Sequence, residues 1–395
     1  MHSLFDLVKF EYKKMLTRKS AVIILALVII AALLGHILIS LRGYVDGESG
    51  RETMIIDRTY AGALSGRAID AELLAEVQNA FSDIPIVEHP WQLQYTSELR
   101  PYMHIFRIIQ PIYNVNFNTI QDLTTDDLQN FYNIRHEQVV SVLSNLNIGD
   151  NSKEVMIRLD SEIETPWIFE DIESYRGFFI HMYMVVYLML FAIGVCLAPM
   201  FSTEYSTGTS QLILSSRFGK SKLIMAKFIT GISFSIIFCL FLVLSTFLIS
   251  SLFYGFDGAN APLQLLLTGS VYPLSLIQTA VIFSVCVLSG AVMFSAIAMF
   301  LSAKLKSAYG VVIILTVLIF IPIAFYASEE NAILLNLYRL LPSTVMHFEL
   351  LFSNIPYELF GLAVMPYVFL PAFYILASAV FLFFARRAFK RYQMG

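Results

Sequence analysis

Residues 199–227 read PMFSTEYSTGTSQLILSSRFGKSKLIMAK, from Pro199 to Lys227, and join two long apolar segments. The stretch carries one acid, Glu204, against Arg217, Lys220, Lys222 and Lys227, with glycines at Gly208 and Gly219. A short basic connector between apolar runs of this length reads as a cytoplasmic loop between membrane spans, because lysine and arginine accumulate on the inner side. Its assignment sets the sidedness of everything before and after it.

Composition points the same way. The 395 residues are 57% hydrophobic and 14% charged, with mean hydropathy +0.68; a soluble domain carries about a quarter charged residues. The three cysteines, Cys196, Cys239 and Cys286, all fall in apolar segments. The polar part therefore has no disulfide framework and must fold on its own core.

Upstream of the loop, residues 177–201 form a span, and before it lies a polar insertion, 42–176, with 22 acidic and 10 basic residues, a balance of −12. Within it, 70–81, 125–146 and 152–163 have helical periodicity, and Pro85, Pro90, Pro101, Pro111 and Pro166 punctuate the rest. The insertion is expected to be a mostly helical, or α+β, extracellular domain. A first span covers 20–41, too long for a cleaved leader. Residues 1–19 read as an interfacial amphipathic helix. Ser3 and Asp6 have capping-box spacing, Leu4, Val8, Tyr12 and Leu16 form a stripe, and Lys9, Lys13 and Lys14 lie off it toward lipid headgroups.

Downstream, spans are expected at 228–254, 274–302, 309–327 and 366–385. An apolar outer segment, 328–365, is expected to dip back into the membrane as short helices, and 386–395 is a basic cytoplasmic tail. The coupling loop itself is 202–227. The fold class is an all-α integral membrane protein of six transmembrane helices, with a large domain between the first and second. Every inner segment is basic, while the short outer loops hold one basic residue, Arg339. Both termini are thus expected in the cytoplasm of a multi-pass plasma-membrane protein.

Catalytic motifs are absent. Gly219-Lys220-Ser221 imitates the end of a phosphate loop, but the required glycine is Leu214. His136-Glu137 begins a zinc-protease pattern whose last position is Val140. The spans as bounded contain His36 and His181 but no lysine or carboxylate, which argues against a proton- or sodium-driven carrier and for a largely apolar cargo path. His36 and His181 sit near the outer span ends, where headgroups and water reach, and interfacial packing is their commoner use. With Gln278, Ser284 and Ser289 they are the candidates for a polar substrate path, close helix packing being the commoner use of such hydroxyls.

The run Ala198-Pro199-Met200-Phe201, Glu204, Gly208-Thr209, Leu212 to Ser216, Gly219-Lys220 and Lys227 resembles the cytoplasmic loop of ABC-2 type transporter permeases. The order of elements is similar to that family too, and Tyr60-Ala61-Gly62 with 70–74 resembles its Gram-positive members. The resemblance implies that Phe201, Glu204, Gly208, Thr209, Leu212, Arg217, Gly219 and Lys220 form a coupling helix. That helix, with Lys9, Tyr12, Lys13 and Lys14 of the interfacial helix, would rest on a cytosolic ATPase subunit that holds ATP and Mg. It implies an exporter subunit with no enzymatic activity, cofactor or metal of its own. Its partners would be that ATPase, a second or related permease and membrane lipids, and no nucleic acid. The cargo would be an amphiphilic or hydrophobic peptide, drug or lipid. The alternative is a non-transporting sensor complex, whose outer domain binds a ligand and whose loop reports inward.

Overall fold

The computed structural model describes residues 4–41, 48–82, 99–208, 221–325 and 327–391. It is mostly helical, and the described residues hold five helices long and apolar enough to cross a membrane. These are α2 (Lys19–Ser40), α9 (Glu173–Leu197) running on into α10 (Pro199–Ser206), α11 (Lys222–Tyr254), α12 (Leu276–Lys304) and α16 (Pro366–Lys390). The chain is a multi-pass membrane protein. The remaining helices are α1 (Leu4–Leu16), α3 (Gly50–Leu64), α4 (Ala71–Ser82), α5 (Met103–Tyr113), α6 (Thr125–Gln129), α7 (Phe131–Asn145) and α8 (Asp150–Ser161). Three more follow α12: α13 (Ala308–Ala324), α14 (Ala332–Tyr338) and α15 (Phe348–Leu351). The hairpin β1 (Tyr357–Leu359) and β2 (Leu362–Val364) precedes α16.

Burial sorts the long helices. In α9 and α12 72% of the apolar window is buried, against 17% in α2 and 22% in α16. The first two form the centre, and the others turn apolar surface outward, as lipid-facing helices do. Small residues set how closely the centre packs. A Cβ on Gly290 of α12 would sit 3.2 Å from the Pro342 carbonyl oxygen. The bare glycine lets the 3-10 turn Pro342–Met346 wedge against α12, with α9 and α13 beside it. The segment 328–365 thus holds short helices and the hairpin, packed against the bundle. Arg339 is fully buried there, its Nη1 donating to Asn336 at 2.9 Å and to the Ile355 carbonyl at 2.8 Å.

Several boundaries differ from expectation. α13 has 17 residues and stops at Ala324, short of the expected 327, with Pro322 in its last turn. The freed Pro322 carbonyl accepts a hydrogen bond from Tyr338 at 3.1 Å. The helix expected over 125–146 is two helices, broken at Asn130. α3 and α5 were not anticipated; α3 is started by a Ser49–Glu52 capping box, and Pro111 lies inside α5. No strand occurs among the described residues of the insertion, only an isolated bridge between Ala68 and Ile168. Ser3, expected to cap α1, lies outside the described residues.

The insertion is fastened to the bundle at several points. Arg135 donates to the carbonyls of Thr268 (3.0 Å) and Ser270 (2.6 Å) and pairs with Asp160, which also holds His136 at 2.6 Å. His136 is therefore part of a structural ion cluster. From the hairpin, Glu358 accepts from Ser152 Oγ (2.7 Å) and the Gly149 N–H, capping the start of α8. The bundle has a loop end, which carries residues 199–208 and 221–222, and an insertion end opposite it.

Candidate functional site

At the loop end the chain breaks at Pro199, which begins α10 directly after α9. The first N–H groups of a helix lack intrahelical partners. Ser302, near the end of α12, supplies them: its Oγ accepts from Phe201 N (2.9 Å) and Ser202 N (3.2 Å) and donates to the Ala198 carbonyl at 2.6 Å. Tyr205 adds a bond to the Ala303 carbonyl at 2.7 Å. The Phe201 ring is fully buried, 5.0 Å from that of Phe389 in α16. These contacts press α10 onto α12 and α16, and they set Glu204 inside the protein, 2% exposed.

Glu204 meets three other buried or half-buried charges there. Its Oε1 lies 2.6 Å from Lys227 Nζ and 3.0 Å from Lys14 Nζ. Lys227, fully buried, also reaches Glu11 Oε2 at 3.0 Å and the Met200 carbonyl at 3.0 Å. Two ammonium groups offset two carboxylates, and the half-buried Arg18 also acts on Glu11 and Glu204, which removes much of the cost of burying the acids. The cluster joins α1, α10 and α11. Tyr12 adds a hydrogen bond to Ser233 at 2.7 Å along the same seam.

This corrects two expectations. Lys227 is not the end of a loop but lies in the second turn of a helix that runs on as a span, so the spans are not free of lysine. The empty charge inventory no longer argues against an ion-driven carrier. Nor do all three lysines of α1 face away from the protein as expected. Leu4 and Leu16 are exposed while Glu11 and Met15 are buried, and Phe5 and Phe10 face outward. Lys9 and Lys13 are exposed, and only Lys14 of the expected basic set turns to the protein. Glu11 was missed as a site residue. Its signal is position: it shares a helix face with Val8, Tyr12 and Met15, where an acid is out of place unless paired.

Gly208 follows α10 with φ +70°, and among the described residues nothing lies within 4 Å of a Cβ built there. The glycine suits the left-handed turn that ends the helix. Thr209, Leu212, Arg217, Gly219 and Lys220 lie outside the described residues.

The candidate polar path is not assembled as one surface. Gln278 is exposed and closes a capping box with Ser275, while Ser284 and Ser289 bond carbonyls of their own helix. His36 and His181 do come together. Their rings stack at 3.5 Å, and His36 is 1% exposed. Among the described residues no group of three or more His, Cys, Asp or Glu could hold a metal ion. No protein-family model matches the chain, and no curated protein does.

Proposed function

We propose that the chain is the membrane-spanning subunit of an ATP-driven exporter of the ABC-2 type, powered by a separate cytosolic ATPase. On this reading α13 serves as a sixth span, the loop end faces the cytoplasm with both termini, and the polar insertion lies outside the plasma membrane. The single observation that supports it most is the buried cluster of Glu11, Glu204, Lys14 and Lys227. It ties the amphipathic α1 and the α10 segment, the two parts a cytosolic motor would touch, to the start of a spanning helix. A plain connector between spans needs no such cluster. ATP and Mg would belong to the partner, a second permease would complete the path, and the cargo would be an amphiphile.

The test is transport per ATP hydrolysed in vesicles containing this chain and its co-purifying ATPase. Glu204→Gln keeps the shape and removes the charge. The expected result is a complex that assembles and hydrolyses ATP but moves less cargo per ATP. A wild-type ratio would reduce the cluster to a structural feature, and failure of any ATPase to co-purify would remove the exporter reading.

A further inference from the structure

At the insertion end, where α2, α9 and α11 meet α3 and α5, lies a cavity of about 410 Å³, a size typical of small-molecule sites. Ser40, Arg176 and Tyr254 line it from the ends of the three long helices, and Arg58, Arg100 and Arg107 from the insertion. The arginines differ in how far the protein satisfies them. Arg100 is saturated: Nε donates to Asp57 at 2.6 Å, and the two Nη groups to Glu48 at 2.8 and 3.1 Å and to the Thr53 carbonyl at 3.2 Å. Arg107 and Arg176 each make one carboxylate contact, both to Glu173 Oε1, at 3.4 and 3.1 Å, an oxygen also 3.5 Å from His104. Arg58 makes one contact, to Asp257 at 3.4 Å, with both side chains more than half exposed. Three guanidiniums with donors to spare suit a phosphate or carboxylate, which arginine grips with two parallel bonds.

A second observation lies one turn along the same helices. His36 precedes Ser40 by one turn of α2, and His181 follows Gly177 by one turn of α9, where its Nδ1 donates to the Gly177 carbonyl at 2.7 Å. Both ring nitrogens of His36 and Nε2 of His181 are buried without a hydrogen-bond partner among the described residues. Such orphans are rare, and here His36 lies one turn beyond Ser40, which lines the cavity. The cavity also reaches the lipid boundary: Ile39 lines it yet is 62% exposed, next to Leu38 at 67%.

We propose that this cavity holds the anionic headgroup, a phosphate or carboxylate, of an amphiphile in the leaflet on the insertion side. The molecule enters past Ile39, its apolar chains lie along α2, and its more buried polar atoms meet the two imidazoles. The inference stands apart from the exporter reading, since it requires only a membrane and this end of the bundle.

The experiment uses full-length protein in nanodiscs, phosphatidylcholine alone or with phosphatidylglycerol, and measures the phosphatidylglycerol that stays bound through delipidation. Arg107→Gln/Arg176→Gln is compared with wild type and with Arg158→Gln, on α8 and away from the cavity. Wild type and Arg158→Gln should retain phosphatidylglycerol over phosphatidylcholine, and the double variant should lose about tenfold in affinity. Arg58→Gln, whose half-exposed ion pair is the least structural, should show a smaller loss and serves if the double variant does not fold. Competition with glycerol phosphate separates the sources. Displacement only at a large excess of the soluble anion supports a lipid-borne group, whereas equal binding of the soluble anion overturns the membrane route. No preference for phosphatidylglycerol in wild type, or full retention by both variants, overturns the site.

Discussion

Lys227 shows what one buried charge demands of its neighbours. Lys227→Met removes the cation that Glu11 and Glu204 share. An uncompensated buried carboxylate costs about 3–5 kcal/mol. The thermal unfolding midpoint of Lys227→Met in detergent should therefore fall well below wild type, and Lys227→Met/Glu11→Gln should recover most of the loss. Equal midpoints for the single and double variants would mean that the cluster does not act as a unit. At Gly208 the argument concerns backbone. Its φ of +70° makes any side chain cost about 1–2 kcal/mol through strain, so Gly208→Leu should lower the midpoint and Gly208→Asn should lower it less, asparagine tolerating this region better.

At the scale of elements, two joints set how the pieces sit. Gly290 admits the 3-10 turn of 342–346 against α12. Gly290→Val would drive that turn outward and cost about 1–3 kcal/mol of overpacking, readable as a lower midpoint, whereas Gly310→Ala, with room for its Cβ, should not show it. α3 is anchored through Arg100, whose bonds hold the Glu48 carboxyl below the usual glutamate range. A depressed carboxylate contributes stability that is present above its unfolded pKa and lost as pH falls through the folded value. Wild type should thus lose stability below about pH 4.5, and Glu48→Gln should lose less of its own over that interval.

These elements also show where sequence reading works and where it stops. Long apolar helices such as α2 and α12 announce themselves by length and composition, since a single segment satisfies its own backbone in hydrocarbon only as a helix. α3 had a legible capping box at Ser49 and Glu52, overlooked among polar residues. Lys227 and Glu11 were visible as residues, but their meeting was not, because 216 positions separate them and periodicity reports only on neighbours within a helix. The stacking of His36 on His181 was hidden for the same reason: each helix shows its own face, not the one opposite.

At the scale of the molecule, the clearest test is sidedness. Asn151 is exposed on α8. A cysteine placed there should react with an impermeant thiol reagent on intact cells, the native cysteines being buried. Labelling only after lysis would invert the proposed orientation.

The two ends of the molecule share one part. α11 is a single 33-residue helix that holds Lys227 in the ion cluster at one end and brings Tyr254 to the arginine-lined cavity at the other. Those residues are about 40 Å apart along the axis. A stiff rod gripped at both tips cannot slide or turn at one without doing so at the other. Occupancy of the cavity and the state of the cluster are then linked variables, and linkage runs equally in both directions. An amphiphile that settles the rod in one position favours whichever arrangement of α1 and α10 goes with it, and anything that grips α1 and α10 alters, by the same factor, how tightly the far cavity holds its guest.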